Sequence, residues 1–166
     1  MKTTNHTTQL NHNPKARKTG RAILVVCIMS ALFTLALHAQ TPTIKSVSAI
    51  QDKQWQTITI KGTNFGTQAP YIGDSAYIAL DDSTAQWVAG YSGTAGEPAC
   101  NVLANATPND VTLIVDYWSE TEIVLGGFSG DYGLSDWDLN DGDTETVCIW
   151  NASSGAGPAV KTVRVH

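Results

Sequence analysis

Side chains able to do chemistry crowd into one segment of this chain, Asp131 to Glu145. It carries Asp131, Asp136, Asp138, Asp141, Asp143 and Glu145, interleaved with Tyr132, Trp137 and Asn140. Three kinds of chemistry fit such a set. An aromatic ring beside carboxylates is what sugar recognition uses, the ring face stacking on C–H groups while carboxylates accept hydroxyl hydrogen bonds. Trp137 and Tyr132, with Asp131, Asp136 and Asp138, form that set here. The alternative is that Trp137 folds back over the end of the domain as an apolar lid. The second chemistry is calcium binding: Asp136, Asp138, Asn140 and Asp141 place oxygens close together, and Ca²⁺ takes about six to eight of them. The EF-hand pattern itself is broken, since Gly142 comes one residue late and Val147 stands where the closing Glu belongs. The competing reading of the same residues is a polar hairpin connection. The third is a small carboxylate-dependent hydrolase, which needs two of these acids facing a pocket.

Other reaction types lack their groups. The histidines are His6, His12, His38 and His166, three of them at or before the end of the N-terminal segment and one at the last residue. A nucleophilic triad therefore lacks its base, and a zinc site lacks imidazole ligands. Cys100 and Cys148 read as a disulfide in an oxidising compartment. No catalytic residue is expected, and no cofactor apart from the calcium alternative.

The compartment follows from residues 1–39. Lys2, Lys15, Arg17, Lys18 and Arg21 precede an apolar run from Ala22 to Ala39 that ends on small residues. A cationic start, an apolar middle and a small-residue exit make a secretion signal, with the cut after Ala39. Roughly 18 apolar residues also suffice to cross a bilayer, so an uncleaved anchor is the alternative. The protein is expected to be secreted or held at the cell surface, with membrane contact only if the segment is retained. Cleavage takes five basic residues and no acid; residues 40–166 keep five basic and 15 acidic ones, a net charge of 5 − 15 = −10. Phosphate recognition needs clustered Lys and Arg, so nucleic acid is excluded as a partner.

The elements that must position these residues are short and β-rich. Runs at Thr43–Ile50, Trp55–Gly62, Ala76–Asp81, Val111–Trp118, Thr121–Phe128, Thr146–Asn151 and Val160–Val165 are separated by Gly, Asn, Asp and Ser. Several such strands with no helical periodicity predict an all-β, two-sheet antiparallel sandwich of about seven strands. Residues 83–110, rich in Ala, Gly and Thr, read as a long loop or insertion. In Val111–Trp118, strict alternation sets Val111, Leu113, Val115 and Tyr117 on one face, with Ile114, Asp116 and Trp118 opposite. Trp118 and Trp150 are expected to pack as core or edge.

Pro42-Thr-Ile44-Lys-Ser46-Val47-Ser48, followed by Ile58-Thr-Ile60-Lys-Gly62-Thr-Asn64-Phe65-Gly66, resembles an IPT/TIG domain. Trp118-Ser-Glu-Thr121-Glu-Ile123-Val-Leu125 and Gly142-Asp143 through Thr146-Val147-Cys148-Ile149-Trp150-Asn151 are similar to its later strands. The resemblance covers residues 42–166 and implies an immunoglobulin-like fold and a non-catalytic binding or interaction module. The implied partner is an extracellular protein, a cell-envelope component or a polysaccharide. A solvent-exposed aromatic strip on one sheet face would favour sugar. A flat apolar patch of several hundred Å² would favour protein.

Overall fold

The computed structural model describes residues 40–93 and 111–166. Residues 1–39, read above as a secretion signal, and Cys100 lie outside the described residues. Nine strands are present: β1 Thr43–Val47, β2 Trp55–Thr63, β3 Tyr71–Gly73, β4 Ile78–Asp82, β5 Trp87–Ala89, β6 Val111–Trp118, β7 Glu122–Gly130, β8 Thr144–Ile149 and β9 Ala159–Arg164. They form two antiparallel sheets, β1-β2-β7-β6-β3 and β5-β4-β8-β9, with no helix among the described residues. The all-β two-sheet sandwich expected from the strand pattern is what the chain adopts.

Alternation of β-branched and polar residues builds the core. Ile58 and Ile60 from β2, Leu113 and Val115 from β6, and Ile123, Leu125 and Phe128 from β7 join one buried cluster. Ile78, Leu80, Trp87, Val147 and Ile149 join it from the second sheet. Burying a side chain of this size removes apolar surface worth about 1.5–3 kcal/mol relative to exposure.

The Asn64-Phe65-Gly66 turn works as its residue types require. Asn64 and Gly66 hold left-handed backbone, φ 60° and 71°. Phe65 is fully buried, and its carbonyl accepts the Trp118 indole N–H at 3.1 Å and the Ala152 N–H at 2.9 Å.

Part of the segment expected to be irregular is ordered. Asp82 Oδ1 accepts the N–H groups of Thr84 and Ala85 at 2.8 and 2.9 Å, closing a turn. That turn returns the chain as β5, pairing Trp87 with Asp82 and Ala89 with Leu80. A three-residue strand carries too little periodicity to register in a sequence window. Strands β3 and β5 account for the count rising from about seven to nine.

Strict alternation also fails in β6, for a geometric reason. Ile114 faces Gly127, Val115 faces Leu125, and Tyr117 faces Val124. Gly126 is therefore an extra residue on β7 and Asp116 an extra residue on β6. Each bulge turns two consecutive residues to the same side. Trp118 consequently enters the core at 4% exposure, while Tyr117 stands 50% exposed. Both are the reverse of what the alternating pattern implies.

Candidate functional site

The segment Asp131–Glu145 forms the connection from β7 to β8, and its aromatics turn inward. Tyr132 stacks on Phe128 at 5.0 Å and meets Trp87 edge-on at 6.0 Å. The Tyr132 hydroxyl accepts the Leu139 N–H at 3.1 Å, and Trp87 donates its indole N–H to the Asp138 carbonyl at 3.2 Å. Trp137 is half-buried against the core. Of the two readings of Trp137, the lid is the one this placement favours. Of the rings in the expected sugar set, Tyr132 packs against Phe128 and Trp87, and Trp137 lies partly buried against the core. Asp131 and Asp138 are half-buried and Asp136 is exposed.

The calcium set is likewise not gathered. Asp136 and the preceding Ser135 occupy left-handed turn positions, φ 65° and 54°, and Asn140 and Asp141 are exposed. Asn140 is spent on the turn, its N–H donating to Asp143 Oδ2 at 2.8 Å and its carbonyl accepting the Asp143 N–H at 3.0 Å. Among the described residues no three His, Cys, Asp or Glu side chains are arranged to hold a metal ion. The local hydrogen bonds are those of a polar hairpin connection.

A different acidic group lies inside the sandwich. Asp82 and Glu145 are cross-strand partners on β4 and β8, both fully buried, with Asp143 also buried one turn before. Both oxygens of Glu145 and Oδ2 of Asp82 have no hydrogen-bond partner among the described residues. Burial is the main cause that pushes the Glu145 carboxyl well above the usual carboxylate range; the charges of Asp82, Asp81 and Asp143 push the same way. Asp82 is raised by burial against the opposing pull of the two turn N–H groups, and the neighbouring Asp143 carboxyl adds to the rise. Asp81, on the opposite face of β4, is pushed up to about 7 by burial and then by Asp82. An unpaired buried carboxylate is costly and neutralises instead. Burial thus favours the protonated forms of these acids and also keeps them from touching a substrate in this conformation. The Asp81-Asp82 doublet ending an apolar strand was the sequence signal for them.

The outer face of the five-stranded sheet carries the opposite anomaly. Trp55 stands across from Gly127, Gly127 across from Ile114, and Ile114 across from Ile72. One row thus crosses β2, β7, β6 and β3. Its ends are open to water, Trp55 at 64% and Ile72 at 69% exposure. Two pairings along β7, a second row joins Thr59, Val124 and Tyr117. Between the rows the two bulges put Asp116 against Gly126: a Cβ on Gly126 would lie 2.7 Å from Asp116 Oδ2 and 3.0 Å from Ile114 Cγ2. The face therefore presents two exposed rings and one exposed carboxylate around a glycine pair. Sequence reasoning missed all three; the exposure of Tyr117 depends on the β6 bulge, for which the Gly126-Gly127 doublet inside a strand pattern was the available hint.

The second sheet is more closely covered on its outer side. Tyr91 stacks on Trp150 at 5.1 Å above Ala79 and Cys148. Comparison of the chain with family models, with curated proteins and with solved structures gives no match in any of the three.

Proposed function

We propose that this protein is an extracytoplasmic, non-catalytic binding module of the immunoglobulin-like IPT/TIG type, and that it binds through the outer face of its five-stranded sheet. The observation that carries this reading is the register row Trp55–Gly127–Ile114–Ile72, with large apolar side chains exposed at both ends. Single exposed apolar residues are ordinary on a protein surface. A contiguous row across four strands, with a second exposed ring beside it, is the pattern of an interaction surface. The sheet underneath is bound on both sides of β7 and β6, so the face is rigid.

Export is supported by the cationic-apolar-small order of residues 1–39. The Cys100–Cys148 bridge is supported by Cys148, which is fully buried in β8 and bonded rather than a titrating thiol. Mass spectrometry of the full chain expressed with its own leader tests both. A product starting at Gln40 that takes up alkylating agent at two sites only after reduction is expected. A product retaining Met1, or one alkylated without reduction, would count against the respective part.

The binding face is tested by presenting the exported protein and its Trp55→Ala/Tyr117→Ala form to protein and glycan arrays. Both forms should show the same circular dichroism spectrum. Signals seen with the parent should disappear from the double variant; signals that persist unchanged place the ligand elsewhere.

A further inference from the structure

We infer that the outer face of the five-stranded sheet takes an extended, uncharged polysaccharide chain, with Trp55 and Tyr117 as separate stacking platforms and Asp116 as the hydroxyl acceptor between them. This rests on the proposed binding face and names its ligand class.

Three features on that face converge on a sugar chain. The first is chemical pairing. Trp55 and Tyr117 offer π-faces to the C–H surface of a sugar ring, as aromatic side chains do for other flat partners. Asp116 is exposed beside Gly126, and its carboxylate can only accept hydrogen bonds. A purely apolar partner would strip water from that carboxylate without replacing its hydrogen bonds, whereas sugar hydroxyls supply donors. The second is spacing. Trp55 and Tyr117 lie two strands apart and two pairings apart along β7. At about 4.8 Å between strands and about 3.3 Å per residue along them, their Cα atoms are on the order of 12 Å apart. One sugar ring cannot cover both platforms; an oligosaccharide can. The third is charge. Residues 40–166 carry five basic and 15 acidic residues, a net −10, which opposes uronic-acid, sulfated or phosphorylated chains.

The probes are the cello-, xylo-, malto-, laminari- and chito-oligosaccharide series from monomer to hexamer, with polygalacturonate as the anionic control. The full chain, exported from its own leader, is titrated with each while its tryptophan fluorescence and its quenching by iodide are followed. Trp55 is the tryptophan most open to a soluble quencher. At least one neutral series should protect that fluorescence, with affinity rising from the monomer to the hexamer and no effect from polygalacturonate. Measured by titration calorimetry, Trp55→Ala and Tyr117→Ala should each weaken hexamer binding about tenfold, roughly 1.4 kcal/mol. Asp116→Asn should weaken it less. The idea is overturned if no neutral oligosaccharide protects the fluorescence, or if affinity is the same for monomer and hexamer. Concentration-dependent protection without any sugar, together with a dimer in sedimentation, would identify a second copy as the occupant. That result would defeat the sugar inference and leave the binding face standing. Binding of a sugar that survives both alanine variants would defeat the face as well.

Discussion

At the end of the sandwich where β4 and β8 pair, four carboxyl groups lie buried, those of Asp81, Asp82, Asp143 and Glu145. On the outer face of β2, β6 and β3, indole, phenol and sec-butyl groups lie in water. Each region reverses the usual partition of polar and apolar side chains, but they reverse it at different cost. Burial favours the protonated forms of Asp82 and Glu145, with Asp143 pushing the same way and the two turn N–H groups on Asp82 opposing it. Trp55, Ile72 and Tyr117 forgo burial that the chain grants to Trp118 one residue away. An interior anomaly of this kind sets how stability responds to pH. An exterior one leaves stability almost untouched and is available to a ligand. The two regions teach which part of the molecule to perturb for which readout.

The sharpest way to break the comparison uses two adjacent residues. Trp118→Ala removes a buried ring and its 3.1 Å hydrogen bond to the Phe65 carbonyl, and should cost about 3–5 kcal/mol in urea unfolding. Tyr117→Ala should cost no more than about 0.5 kcal/mol in the same experiment. Equal losses would mean that the bulge does not separate their fates. Next in size is Gly127→Ala. The backbone there has φ +113°, and a Cβ would meet the Gln54 carbonyl oxygen, so a loss of about 1–3 kcal/mol is expected. Gly133→Ala, at φ +84° with nothing within 4 Å, should lose only the backbone term, about 1 kcal/mol.

The acid corner predicts a pH effect of definite sign. Unfolded carboxyls titrate near 4, whereas folded Asp81 titrates at about 7 and Asp82 and Glu145 are raised as well. The folded protein therefore holds protons that the unfolded chain releases. Their stabilising contribution is complete below about pH 4 and declines as pH rises through the folded values. Calorimetry should show Tm falling by roughly 5–10 °C from pH 4.5 to 8. Glu145→Gln, which cannot ionise, should flatten that slope and raise Tm at pH 8. A slope unchanged in Glu145→Gln would remove this carboxyl as its source. The smallest effect is at Asp136→Ala, an exposed turn residue at φ 65°, where Ala tolerates the left-handed backbone less well and Tm should fall by about 1–2 °C.

Much of the fold was legible because it rests on residue-by-residue alternation. Ile58 and Ile60, or Val147 and Ile149, announce their strands and faces at once. Asn64-Phe65-Gly66 likewise announces a turn that buries its aromatic. The candidate site was less legible for two physical reasons. A bulge counts residues rather than types, so nothing in the identity of Asp116 or Gly126 declares that the next ring changes sides. Trp137 and Tyr132 sit among acids in the chain, yet the groups they meet in space are Phe128 and Trp87, the latter on a strand too short to foresee. Asp82 was hidden by a similar economy, one oxygen capping a turn and the other buried without a partner.

The paired bulges at Asp116 and Gly126 have a consequence for how such a surface could change over generations. Because each is a single extra residue, deleting one would move every later side chain of its strand to the other side of the sheet. An insertion or deletion of one codon would thus rewrite the surface more thoroughly than several substitutions. Two related chains could share nearly every residue of β6 and β7 and still show water different rings. Alignments of this strand pair are better scored by the spacing between Val115 and Trp118 than by the letters between them.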